Sequence, residues 1–289
     1  MNRRTFLNTA SATAVGLAAF PARWVAAADK KPQKVLYFTR SAGFEHGAVK
    51  RQGDALAFSE QTLVEMGKRA GFDVQCSKDG RVFDGDLSPY DVIAFYTSGD
   101  LTQPDQQQTP PMTPAGKQRL LDAIAAGTGF VGFHAATDSF HSPAAGPVDP
   151  YLAMIGGEFI SHGPQQEATL TVVSPKFPGL ESVGSALRLN EEWYAQKNFA
   201  SDLHVILVQE TAGMRGRDYG RPPFPATWVR QYGQGRVFYT SFGHRDDIWT
   251  NPTVQQIILG GFAWAMGNVD ADITPNIKQV TPKANELPA

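Results

Sequence analysis

Twice in its first half, this chain sets an uninterrupted apolar run of strand length ahead of a helical pattern, a glycine and a second apolar run. Val35-Leu36-Tyr37-Phe38-Thr39 opens the first unit, Leu56, Leu63 and Ala70 recur every seven residues, Gly71 closes the helix, and Phe72 to Gln75 follows as a strand. Val92 to Tyr96 opens the second. Thr113-Pro114 then supplies a helix cap with proline at the first helical position, Leu120, Leu121 and Ile124 form an apolar face, Gly127 stops the helix, and Phe130 to Phe133 is the next strand. Runs without polar interruption belong to strands covered on both sides. Alternation of such strands with helices predicts an α/β fold: a doubly wound, mostly parallel sheet with helices on both faces. Strand-like runs at Ala168–Val173, Val205–Gln209, Ala226–Arg230 and Arg236–Ser241, then a helix opened by Asn251-Pro252 and ended by Gly267, complete the pattern. Residues 268–289 read as a loosely packed tail, and nothing in residues 29–289 marks a boundary, so one domain is expected.

The first 28 residues stand apart. Arg3-Arg4 precede a weakly apolar, alanine-rich run from Thr9 to Phe20, and Ala26-Ala27-Ala28 then offers small residues for cleavage before Asp29. This pattern predicts a twin-arginine signal peptide and a periplasmic or extracellular protein. The apolar run is too short to span a bilayer, so no membrane span is expected once the signal is removed. Without it the chain keeps 23 Lys and Arg against 28 Asp and Glu, a mildly acidic balance that excludes a nucleic-acid partner of the usual basic kind. Cys76 is the single cysteine, so no internal disulfide can form, and with no partner in sight it reads as a structural thiol.

In open α/β sheets the ligand lies beyond the carboxyl ends of the strands. Three of the six histidines fall there: His46 after the first strand, His134 directly after Phe133, and His244 after the strand ending at Ser241. Arg40 lies on the first of these exits and His162 in a glycine-containing loop, so both join the candidate set. His141 and His204 read as solvated and structural. Glu191-Glu192-Trp193-Tyr194 sets two acids beside two aromatics, an arrangement that suits a general base in a semi-apolar pocket or, equally, an acidic strand end with core anchors. Asp246 and Asp247 either orient His244 or cap the turn that follows. No G-x-S-x-G elbow, phosphate-binding P-loop or G-x-G-x-x-G follows the first strand, so no nucleotide cofactor is expected.

Taken together, Gly43-Phe44-Glu45-His46, Gly132-Phe133-His134-Ala135-Ala136-Thr137-Asp138, Gly156-Gly157-Glu158-Phe159, Glu191-Glu192-Trp193-Tyr194, and Tyr232 to Tyr239 with Gly243-His244 resemble the ThuA-like, or trehalose-utilisation, family over Lys34 to Gly267. The resemblance implies a class I glutamine amidotransferase-like, flavodoxin-like fold. In amidotransferases a cysteine occupies the turn that here carries His134, while His244 and Asp246 match the partner histidine and acid. Without the thiol, glutamine hydrolysis through an acyl-enzyme is excluded. The resemblance further implies sugar catabolism on a keto-sugar or a 3-keto-glycoside or disaccharide supplied by a sugar 3-dehydrogenase. The expected catalytic set is His134, Glu192 as general base, His244 and Asp246, with Arg40, His46, His162, Trp193 and Tyr194 binding the sugar. His46, His134 and His244 would stabilise an enediolate directly or through a divalent metal, Zn²⁺ or Mn²⁺. The alternative is a non-catalytic carbohydrate-binding or accessory protein in which Trp193, Tyr194, Trp228 and Trp249 stack on sugar.

Overall fold

A computed structural model describes residues 32–288; the expected signal peptide lies outside them. The first βαβ unit runs as β1 (Gln33–Phe38), α1 (Phe58–Ala70) and β2 (Phe72–Ser77). Gly71 ends α1 in the left-handed conformation, at φ 84°, where a side chain is disfavoured. Its start is tied to the exit of β1 by the buried Glu60 carboxylate, which accepts from Thr39 Oγ1 at 2.6 Å, from the Ala57 N–H and from Nε and Nη2 of Arg51. The second unit is β3 (Val92–Phe95), α2 (Pro114–Ala125) and β4 (Gly129–Phe133), with the Thr113 hydroxyl accepting the Gly116 N–H.

Beyond β4 come α3 (Pro150–Ile155), β5 (Glu158–His162), β6 (Gln166–Val172), β7 (Ala186–Glu191), β8 (Tyr194–Lys197), β9 (His204–Gln209), β10 (Phe224–Tyr232) and β11 (Gly235–Thr240). Then α4 (Asp246–Thr250), α5 (Pro252–Ala265) and the short α6 (Ile277–Val280) close the chain. The main sheet has nine strands in the order β2-β1-β3-β4-β11-β10-β9-β6-β7. Its first five are parallel and the remaining pairings antiparallel. Helices α1, α4 and α5 pack together, while α2 and α3 pack together, giving the doubly wound arrangement. Val35 to Phe38, Val92 to Phe95, and Phe130, Val131 and Phe133 are fully buried, as strands covered on both faces must be.

Three strands lay outside the sequence reading: β7, and the separate two-stranded sheet formed by β5 and β8. The segment after Asn268 corrects the expectation of loose packing. Ile277, Thr281 and Ala284 are buried, Asn276 bonds both backbone groups of Val205, and Asn285 bonds both of Phe199. Paired backbone of this kind is tied down as firmly as an internal loop. Among the described residues, no helix is long and apolar enough to cross a membrane.

Candidate functional site

Because β1, β3, β4 and β11 are adjacent and parallel, the residues that follow them emerge on one edge of the sheet. His46, His134 and His244 therefore meet. Their ring centroids lie 5.0 Å apart for His46–His134 and 5.4 Å for each of the other two pairs. The close approach of two exits depends on glycine: a Cβ on Gly99, whose φ is +72°, would lie 2.3 Å from the Gly43 nitrogen. That contact presses the loop carrying His46 against the exit of β3.

His134 itself adopts φ +39°, an uncommon conformation for a residue with a side chain. The surrounding bonds over-determine it. Its carbonyl accepts from Tyr239 Oη at 2.7 Å, and that hydroxyl is fixed by Gln196 at 2.8 Å. Its ring Nδ1 lies 3.0 Å from the Ser241 carbonyl, an acceptor only, so Nδ1 carries a hydrogen and Nε2 is the nitrogen turned to the site.

The small sheet supplies the other wall. Its register sets His162 opposite Tyr194, and the link from β7 to β8 delivers Glu192 between them and the three strand-exit histidines. Glu192 Oε1 lies 3.1 Å from His244 Nδ1, 3.5 Å from His134 Nε2 and 4.0 Å from His46 Nε2, while Oε2 lies 3.4 Å from His162 Nδ1. Four imidazoles thus surround one carboxylate. The approaches of His134 and His244 to Glu192 are short but not aligned hydrogen bonds, and His134 Nε2, His244 Nδ1 and also His46 Nδ1 are buried with no aligned partner. One ligand atom from each of His46, His134, Glu192 and His244 lies within 4.8 Å of all the others.

Electrostatics divides these groups. Burial, reinforced by the neighbouring imidazoles, pushes His46 down to about 2, so its ring is neutral. Burial would raise Glu192, but the His134 and His244 rings override it and hold the carboxyl well below its usual range. His244 moves the other way: burial opposes its protonation, yet the Glu192 and Glu191 carboxylates raise it overall. Burial also keeps the Tyr194 phenol neutral, 3.2 Å from His46 Nε2.

Adjacent Glu191 does something else. Fully buried, its carboxylate accepts the backbone N–H of Glu192 at 2.8 Å, of Gly243 at 3.0 Å and of His244 at 3.1 Å. It clamps the His244 turn to the end of β7. The Gly243 carbonyl is held from the other side by Tyr96 Oη and Trp249 Nε1. Gln165 braces the ring of His244, donating to Nε2 at 2.8 Å while its own oxygen accepts from Arg245.

Several expected site residues are placed elsewhere. Arg40 is fully buried and serves the loop after β3, donating to the Leu101 and Gln103 carbonyls and pairing with Asp105 at 3.2 Å, so it is not a sugar contact. Trp193 is also fully buried, its indole donating to the Gln166 carbonyl, and Trp228 and Trp249 are core. Asp246 is exposed in the first turn of α4; the carboxylates facing His244 are Glu192 and Glu191. His204 bridges Ser174 and the Thr274 carbonyl, a structural role. The exposed aromatic at the site is Phe44, 67% accessible and edge-on to His46 at 4.9 Å, within a motif already singled out in the sequence.

The sequence matches the family model described as trehalose utilisation over residues 34–265. Among solved structures, a putative ThuA-like protein from Bacteroides uniformis superposes with a TM-score of 0.63 at 20% identity, covering 88% of this chain and 99% of the other. One from Parabacteroides merdae gives 0.58 at 19%, covering 84% and 93%. At these identities the likeness is one of fold. No curated protein matches the sequence significantly.

Proposed function

Since the chain belongs to the ThuA family of trehalose-utilisation proteins, we propose that it is an enzyme of sugar catabolism acting on a keto-sugar or 3-keto-glycoside by general acid–base chemistry. The observation that carries this reading is the ring of four imidazoles around Glu192 at the ligand-binding edge of the sheet. A ketone at C3 acidifies the neighbouring C–H, and a positioned base can remove that proton.

Glu192, held ionised far below its usual range and enclosed by imidazoles, is a weak proton acceptor. The role passes to His162. Its Nδ1 faces the Gly163 carbonyl at 3.0 Å and Glu192 at 3.4 Å, which places the hydrogen on Nδ1 and leaves Nε2 free as the base on the open side of the cluster. Glu192 orients that ring. The C–H bond breaks, its proton goes to His162 Nε2, and its electron pair delocalises onto the ketone oxygen, where His244, whose protonated form the Glu192 and Glu191 carboxylates favour, opposes the growing charge. Reprotonation at the adjacent carbon isomerises the sugar; loss of a leaving group eliminates it. Phe44 offers an exposed ring for the apolar face of the sugar. This reading includes supply of the substrate by a sugar 3-dehydrogenase and export after removal of residues 1–28, which N-terminal sequencing of the periplasmic fraction checks.

The deciding experiment follows 3-keto-trehalose and a 3-keto-glucoside by NMR in deuterated buffer. Exchange of the C2 hydrogen or conversion of the sugar is expected, falling roughly 10²- to 10⁴-fold in His162→Ala. Tight binding without exchange or turnover by the wild type refutes the enzyme and leaves a sugar-binding protein.

A further inference from the structure

We infer that His46, His134, Glu192 and His244 form a mononuclear site for a divalent first-row transition-metal ion. The donor set is three imidazoles and one carboxylate, with no thiolate, which suits ions of borderline softness. Their ligand atoms are already gathered within 4.8 Å of one another, whereas ligands about 2.1 Å from a shared ion sit roughly 3–4 Å apart. Small side-chain rotations close that gap.

Two further observations point to an ion rather than to a self-sufficient polar cluster. One buried nitrogen on each of the three histidines lacks any hydrogen-bond partner, although His134 is fully buried and His46 only 2% exposed. Buried polar atoms in folded proteins are almost always paired, so three together at one point call for a missing partner. In addition, the Ser241 carbonyl holds the hydrogen on His134 Nδ1, so Nε2, 3.5 Å from the Glu192 carboxylate, is the nitrogen turned into the site. His134 has the form that ligating histidines have, its non-ligating Nδ1 donating to the Ser241 carbonyl, and the second nitrogen of His46 is held by Tyr194 Oη.

The number of donors also says which ion suits a catalytic role. Four protein ligands saturate a tetrahedral Zn²⁺, whereas an ion that takes six, such as Mn²⁺, keeps two positions for substrate. Two adjacent oxygens are what an α-hydroxyketone presents. This substrate arm rests on the keto-sugar reading above; the metal site does not.

The test measures metal content of the full chain purified without chelator, then binding of MnCl₂, CoCl₂ and ZnSO₄ to chelator-stripped protein. One ion per chain is expected. His134→Ala and the near-isosteric Glu192→Gln should each raise Kd at least tenfold, while Asp246→Asn, exposed and outside the cluster, leaves it unchanged. Circular dichroism of the stripped variants separates lost ligation from lost folding. Absence of stoichiometric binding of all three ions, or binding that survives both ligand substitutions in folded protein, overturns the site. The NMR exchange assay run on stripped and reloaded protein keeps the two readings apart: an ion bound without keto-sugar chemistry refutes the enzyme alone, and undiminished exchange by stripped protein refutes the metal's part in it.

Discussion

Glu191 and Glu192 are neighbours of identical chemistry that should behave oppositely when removed. Glu191 accepts three backbone N–H groups at 2.8–3.1 Å from full burial. Hydrogen bonds to a charged group contribute about 1.5–3 kcal/mol each, and truncation to alanine strands the buried donors of Gly243 and His244. Water entering the space left behind recovers part of this. A net loss of roughly 3–5 kcal/mol follows for Glu191→Ala, which in a domain of this size lowers Tm by roughly 6–20 °C. Glu191→Gln keeps one carbonyl oxygen for the same donors and should fall between the alanine variant and the wild type. Glu192 has no backbone donor on its carboxylate and faces four imidazoles, so Glu192→Gln, which keeps the side chain's shape, should cost less than Glu191→Ala while losing function. Thermal and urea unfolding by circular dichroism, in chelator so that ion binding contributes nothing, measures both. A Glu191→Ala variant melting within a few degrees of the wild type, or a Glu192→Gln variant falling as far as Glu191→Ala, refutes the division of roles.

Other consequences follow from single residues. Arg40→Met leaves Asp105 buried without its cation and should cost about 3–5 kcal/mol, with faster proteolysis of the 101–110 loop but an unchanged KM in the folded fraction; a raised KM would restore Arg40 as a sugar contact. The Asp138 carboxylate, 3.0 Å away, raises His141, so the stability this pair adds is complete below the ordinary histidine range and is lost as pH rises through the folded value. His141→Gln should therefore be less stable than the wild type near pH 5.5, by less than about 1 kcal/mol given the exposure of the pair, and equal to it near pH 9; the reverse order contradicts the assignment. Burial pushes the Cys76 thiol up to about 12, so at pH 8 roughly one molecule in ten thousand is thiolate. Disulfide reagents should label Cys76 slowly in the native protein and rapidly in urea, and fast native labelling would show that the thiol is accessible and ionised.

Much of the site's frame was legible because it rests on local periodicity. Apolar runs of four or five residues between helices define parallel strands, and parallel strands bring whatever follows them to one edge of the sheet. His46, His134 and His244 could be expected to meet on that ground alone. The family motifs reach further still, and the match over residues 34–265 agrees with them. Glu192 and His162 were visible only as unusual residues in unusual places. His162 arrives on β5 and Glu192 on the link into β8, strands of five and four residues paired outside the main sheet, too short for alternation to show and with no sequence rule to say which edge they cover.

Which side chains point into the cleft was decided by tertiary packing. Trp193 sits between the site residues Glu192 and Tyr194 in the chain, yet one step along a strand exit turns a side chain from the cleft into the core. Glu191 and Glu192 differ by that one step as well. Residue type and spacing determined where the strands end and what chemistry they carry to the sheet's edge. Packing of elements distant in sequence determined which groups share that edge, because only close contact settles which buried charges find partners and which are left facing one another.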